Sequence, residues 1–532
     1  VFEIKSQDLF GRIGVLHTKS GSIETPYIFP VVDPTLKKQN VGLDEIKELG
    51  FNAVITNAYL ILRNYGSIGD VHKLLGFDGI VMTDSGAYQL MQYGEVEVSN
   101  REIMEFQCSI KSDIGVPLDI PTKVEDPREK VFESVIETLS RVRESVTIIE
   151  KCKGMLWVAP IQGGTQLDLL RYCAKKIVDQ GLFEVYNIAA VGSPTTLLER
   201  FLFDHVMMML KTVREEIPSA VPLHLFGAGH PLVIPFVVAM GVDLMDSASY
   251  IIYARDNRYM TWRGTYRLEE LSYFPCECPI CRRYEPRDLL EMDKSERTRL
   301  LALHNLYVLK SEIDRVKQSI REGRLWEYLE EVSKRHPAAR RAFEALVRAY
   351  PKLFMKRLPT TRVPTKAVFI FDRDSILNPR VVKARISLER VRYVVNKKKL
   401  ALLPLLQKWK PLITSKLARE LLVKGFAILG YVPAIGVVPM ELSEAFPFSQ
   451  FEQCRCFDEE TISNTALIIQ EFVERYVDTI DEVRILVCKD VEWSVRIAKK
   501  VLRNLKLCLK VKDLSVRLIA ETLVCGYEYS LE

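Results

Sequence analysis

GIVMTD, residues 79 to 84, is a short apolar run of β-forming character that halts at an aspartate and gives way to helical sequence. The same theme recurs through residue 250: YIFPVV (27–32), FNAVITN (51–57), IGVPLD (114–119), LWVAPIQ (156–162), EVYNIAAVG (184–192), PLHLFG (222–227) and VDLMD (242–246). Runs that are apolar throughout, instead of alternating, belong to strands covered on both faces, as in a parallel sheet flanked by helices. Eight such units predict an α/β fold, a (β/α)8 TIM barrel over residues 1–269, with a doubly wound open sheet as the alternative. In a barrel the carboxyl ends of the strands converge on one face, and there the candidates are Asn57, Asp84, Asp119, Gln162 and Asp246. Any one of them is accounted for as a cap on the following helix. Three carboxylates at three strand ends point to chemistry.

Beyond the barrel the pattern changes. Residues 270–350 carry clustered cysteines and charged helical sequence over 284–302 and 306–333, broken at Pro286, Pro337 and Pro351, and read as a metal-binding helical subdomain completing the catalytic domain. Residues 351–430 hold 19 Lys and Arg against 4 Asp and Glu, a net +15 in a chain whose total is +5, so the remainder is net −10. That concentration predicts a polyanion partner, nucleic acid first. Residues 431–532 read as a small α/β domain with strands at 485–489 and 507–511.

Length and composition, 532 residues at 48% apolar, leave room for two to four domains with ample core. No apolar stretch is long enough to span a membrane, and Lys5, Asp8, Arg12 and Lys19 interrupt any leader-like run, so the expectation is a cytoplasmic protein. Eleven cysteines, sparse and odd in number, argue for a reducing compartment over a disulfide scaffold. Three of them, Cys276, Cys278 and Cys281, form C-x-C-x2-C, with His304 following in helical sequence. Three thiolates and an imidazole complete a zinc tetrahedron with no position open for water, so a structural Zn2+, one per subunit, is expected.

With these residues in view a family likeness becomes legible. TDSGAYQL (83–90), IQGG (161–164), GVDLMDSASY (241–250), NRYMTWRGTYRLEEL (257–271), FPCECPIC (274–281) and ERTRLLALHNLYV (296–308) resemble tRNA-guanine transglycosylases over most of residues 1–345. HLFGAGHP (224–231), GVVPMELSEAFPFSQFE (436–452) and the long C-terminal extension are similar to the archaeal, archaeosine-type branch.

The resemblance implies base exchange in tRNA: guanine at position 15 of the D-loop is replaced by 7-cyano-7-deazaguanine through a covalent ribosyl intermediate. It implies Asp246 as nucleophile and Asp84 as general acid/base, the reverse assignment being the alternative. It further implies a pocket in which Asp119, Gln162, Gly163 and Ser85 bind the base edge and Tyr88 and Phe226 sandwich its ring. Where queuine-type proteins carry Gly-Gly-Leu-Ala, this chain has NIAA (187–190), and Ala189 and Ala190 imply a tighter pocket suited to a cyano group. Archaeal relatives commonly end in an RNA-binding PUA domain. No such pattern follows residue 505, which leaves the tRNA grip to a separate polypeptide or to residues 351–430.

The phosphate-contact candidates are Arg390, Arg392, Lys397, Lys398, Lys399, Lys408 and Lys410, with Arg255 and Arg258 beside the site. The resemblance also implies a homodimer. Competing readings are queuine-type exchange at another tRNA position, a non-catalytic tRNA-binding subunit, and a sugar hydrolase on the same barrel.

Overall fold

The computed structural model describes residues 1–87, 98–349, 367–390, 397–406, 410–512 and 516–523, with the backbone alone at 349, 390 and 508–512. Tyr88, Arg392 and Lys408 therefore lie outside the described residues, as does the side chain of Arg390. The chain forms two compact units, Val1–Ala349 and Tyr350–Glu532.

In the first unit an antiparallel three-stranded sheet (Phe2–Asp8, Gly11–Thr18, Gly21–Thr25) precedes the barrel. The eight expected strands are all present: Tyr27–Pro30, Ala53–Asn57, Ile80–Asp84, Ile114–Gly115, Leu156–Ile161, Ile188–Val191, Leu223–Leu225 and Leu244–Ser247. Each runs parallel to the next, and the last pairs with the first, Asp246 opposite Phe29. A parallel bridge from Val31 to Ile55 joins the first strand to the second, so the ring closes. The apolar runs are buried along their length, every residue of Leu156–Ile161 among them, as a sheet covered by helices outside and packed side chains inside requires.

At the opposite end from the carboxylates, the buried Asp243 ties the barrel to its surroundings. Arg12 donates to it through Nε (2.8 Å) and Nη2 (2.6 Å), Arg214 through Nη2 (3.1 Å), and the Leu223 amide closes the set at 2.8 Å. Helices then extend the unit. Lys294–Glu322 starts at Asp293, whose carboxylate accepts the Ser295 and Glu296 amides, and stops at Gly323, where φ is +68°. Leu325–Ser333 and Pro337–Ala349 complete it.

In the second unit a five-stranded sheet has the order Gly436–Pro439, Phe426–Val432, Lys399–Pro404, Glu482–Cys488, Arg517–Leu523, parallel except at the first pair. Its strands lie on both sides of residue 430, so the basic segment and the segment after it share one sheet and one buried core. The strand expected at 507–511 is instead the end of a helix, Glu492–Lys512. Ile497, Val501 and Leu505 recur at four-residue spacing and are buried, whereas the alternation at 507–511 is too short to distinguish the two periods by itself. One disulfide, Cys108–Cys152, joins the helix Asn100–Ser109 to the end of the helix Val146–Lys151, against the expectation that the cysteines stay reduced. Among the described residues no helix is long and apolar enough to cross a membrane.

Candidate active site and metal centre

Parallel pairing places Asn57 beside Asp84 at the ends of adjacent strands, and the Asn57 amide donates to Asp84 Oδ2 at 3.2 Å. The Gly86 amide reaches the same oxygen at 3.4 Å. Burial, reinforced by the nearby charges of Asp119 and Asp246, pushes the Asp84 carboxyl up to about 7. Asp119 and Asp246 are thus the charged neighbours of Asp84 at the carboxyl end of the barrel. Ser85, next in the chain, is buried with a hydroxyl that has no partner among the described residues.

Asp119 sits four residues past the short strand Ile114–Gly115 and is buried, which raises its carboxyl, while a hydrogen bond from Gln162 Nε2 opposes the shift. Gln162 is held from its other side. Ser193 Oγ donates to Gln162 Oε1 at 2.9 Å and itself accepts the Thr122 amide at 2.8 Å, fixing which end of the amide faces Asp119. Space here is tight. A Cβ on Gly192 would lie 2.2 Å from Gln162 Nε2, and one on Gly163, where φ is +140°, would lie 2.4 Å from the Leu170 amide nitrogen. Ala189 and Ala190 are fully buried neighbours within the strand Ile188–Val191, so their side chains point to opposite faces and one of them looks into the barrel.

Asp246 stands across from this group. Its Oδ1 lies 2.9 Å from His224 Nε2 and accepts the Gly227 amide at 3.1 Å. Phe226 follows the strand Leu223–Leu225, its ring centroid 4.5 Å from that of His224. Asn57 is a strand-end candidate from the sequence, whereas Ser193 and His224 are side chains that sequence reasoning did not assign to the site. The signal for His224 was a lone polar residue within an otherwise apolar strand.

The metal quartet is assembled as expected. The donor atoms of Cys276, Cys278, Cys281 and His304 all lie within 4.8 Å of one another. His304 Nε2 donates to the Met260 carbonyl at 2.8 Å, which turns Nδ1 toward Cys278 and Cys281 Sγ, each 3.4 Å away. Tyr259 stacks on the imidazole with centroids 3.8 Å apart, holding its plane.

The basic candidates are differently disposed. Arg255 donates to the Lys38 carbonyl, and Arg258 pairs with Asp256 at 2.9 Å. In the second unit Lys397 donates to the Phe426 carbonyl (3.2 Å) and Lys399 lies 5.7 Å above the Phe426 ring. Lys410 lies 3.1 Å from the Phe451 ring centroid and donates to the Phe451 carbonyl (2.7 Å), and burial pushes its ammonium down to about 7. Lys398 is 80% exposed, its Nζ 3.8 Å from Asp481 Oδ2.

Fold and site together define an α/β-barrel protein with three neighbouring carboxylates toward the carboxyl end of the barrel and a Cys3His cluster that could hold a metal ion. The model for the family described as queuine tRNA-ribosyltransferase matches residues 7–338, and the chain belongs to that family. The tRNA-guanine(15) transglycosylase of Saccharolobus solfataricus is 44% identical over 486 residues, 89% of this chain and 95% of that protein. Its namesake from Aeropyrum pernix is 42% identical over 510 residues, 93% and 96% of the two chains, and that of Pyrococcus abyssi 47% over 396 residues, 73% and 65%.

Proposed function

We propose that this chain is a tRNA base-exchange enzyme that removes guanine from position 15 and installs 7-cyano-7-deazaguanine by two displacements at the ribose C1′. The observation that carries the mechanism is Asp84 at a strand end, its carboxyl raised by burial and by the charges of Asp119 and Asp246. A carboxyl poised near 7 is suited to hand a proton to a departing base and to take one from its replacement, which is the work given to Asp84. Asp246, one oxygen of which is held by His224 and the Gly227 amide, attacks C1′ through the other as the C1′–N9 bond breaks. The incoming base then displaces it, so configuration is retained.

Asp119 accepts from the N–H groups of the guanine-like edge, and Gln162, the Gly163 amide and Ser85 complete the reading of that edge. Tyr88 and Phe226 take the two faces of the flipped base. Ala189 and Ala190 limit the space at the 7-substituent. The resident metal is Zn2+, held by Cys276, Cys278, Cys281 and His304. The 3.4 Å separations of sulfur from Nδ1 match the roughly 3.5 Å edge of a zinc tetrahedron with ordinary Zn–S and Zn–N bonds. Four protein donors leave it a structural role. Arg255, Arg258 and the exposed basic residues of 351–430, Lys398 among them and Lys410 not, grip phosphates, and the working form is a homodimer, which light scattering checks.

Incubation with unmodified tRNA and labelled guanine tests the reading. Incorporation of label supports exchange, binding without incorporation indicates a non-catalytic subunit, and an abasic ribose indicates a hydrolase. Asp246→Asn is expected to lower exchange by more than about 10³-fold while metal content and melting temperature stay near those of the parent. Nucleoside mass spectrometry of the treated tRNA identifies the base and its position.

A further inference from the structure

His224 occupies the middle of the strand Leu223–Leu225 and is fully buried. Its Nε2 faces Asp246 Oδ1, while its Nδ1 is enclosed and has no partner among the described residues. A proton on Nδ1 would be a buried donor without an acceptor, so the ring proton belongs on Nε2, pointing at the carboxylate. The rings of Phe226, at 4.5 Å, and Phe29, at 6.1 Å, pack near the imidazole and hold it in place. Two donors, His224 Nε2–H and the Gly227 amide, thus meet at one oxygen of Asp246. No donor among the described residues reaches Oδ2, and the Asp246 side chain keeps 13% of its surface open.

We propose that His224 is a positioning residue for the exchange reaction, selecting Asp246 Oδ2 as the attacking atom and making the carboxylate a good leaving group in the second displacement. The inference rests on the reading of Asp246 as nucleophile. In the first displacement an Oδ2 lone pair forms the bond to C1′. The C1′–N9 electrons leave with guanine, which takes the proton of Asp84, and Oδ1 becomes the carbonyl oxygen of an ester. In the second, the incoming base gives its N9 proton to the Asp84 carboxylate and bonds C1′, and the C1′–Oδ2 electrons return to Asp246. A hydrogen bond to a carboxylate is charge-assisted and stronger than one to an ester carbonyl. The His224 donor therefore favours the free carboxylate over the ester, and its removal tilts the balance toward the covalent state.

The test compares His224→Phe, which lacks the donor, with His224→Gln, which retains one on a side chain long enough to reach, in the full chain with labelled tRNA. For His224→Phe, exchange kcat is expected to fall about 10- to 100-fold at unchanged KM for tRNA. The fraction of enzyme carried as a tRNA adduct stable on a denaturing gel is expected to rise above the parent's. His224→Gln is expected to restore most of the rate and return the adduct to the parental level. Exchange within twofold of the parent in His224→Phe overturns the inference, and so does a parallel loss of rate and adduct in both variants, the signature of a packing role. Should His224→Phe fail to fold, His224→Asn, too short to place a donor at the same point, takes its place with the same expectations. An adduct formed by Asp246→Asn would show the nucleophile reading itself to be wrong, whatever His224 does, and the inference would fall with it.

Discussion

For single side chains the decisive quantity at this site is the protonation of Asp84. Folding raises its carboxyl from the ordinary 3.8 to about 7, because the anion loses water and meets two other carboxylates. The folded state therefore favours the protonated form. This stabilising contribution is fully present below pH 3.8 and is lost as pH rises through about 7. Asp84→Asn, which cannot ionise, is accordingly expected to match the parent in melting temperature near pH 4. At pH 8 it is expected to exceed the parent by on the order of 2–4 kcal/mol of stability, while losing exchange. Thermal denaturation at the two pH values checks the sign. In the parent, kcat/KM for tRNA is expected to decline about tenfold per pH unit above 7, since the first displacement needs the acid form.

Among the elements, the barrel strands do two jobs at their two ends. At the carboxyl ends they deliver Asp84 and Asp246, and at the other end Asp243 is clasped by Arg12 and Arg214. All three side chains of that clasp are at most 5% exposed, so truncating the anion leaves two buried guanidinium groups without it. Asp243→Ala is expected to cost about 3–5 kcal/mol in denaturant unfolding with the pocket chemistry otherwise intact. The long helix Lys294–Glu322 is the comparable element outside the barrel. It carries His304 to the cysteine loop, and the Met260 carbonyl sets the ring so that the donor nitrogen faces sulfur.

For the molecule as a whole, the Cys3His cluster bears on stability and, on the proposed function, the basic second unit bears on the grip of tRNA. Because the Cys3His quartet closes on itself, stripping the metal with a chelator is expected to lower the melting temperature by ~10 °C or more, with exchange lost in proportion to folded protein and both regained on adding Zn2+. The lysines of the basic segment are not equivalent. Lys398 is open, so Lys398→Ala is expected to reduce the slope of log K for tRNA against log salt by about 0.7–0.9. Lys410 is turned onto Phe451, and Lys410→Ala is expected to leave that slope unchanged while lowering the stability of the unit. Filter binding across a salt series separates the two.

The barrel, its eight strands and the metal quartet were readable from the chain alone, because each is written in local terms: the length and burial of an apolar run, the residue that ends it, the spacing of cysteines. The strand-end positions of Asp84 and Asp246 were legible in the same way, whereas Asp119 lies four residues beyond its short strand. The rest depended on contacts between distant segments. Only the folded arrangement put His224 against Asp246, aimed Ser193 at Gln162 and pushed Asp84 toward neutrality, for a pKa or a tautomer depends on what surrounds a group in space. The same reason explains the sheet that runs across residue 430, the helix at 492–512 and the Cys108–Cys152 bond. Short apolar runs fit two periods, and two cysteines 44 residues apart are neighbours only after the intervening chain has packed.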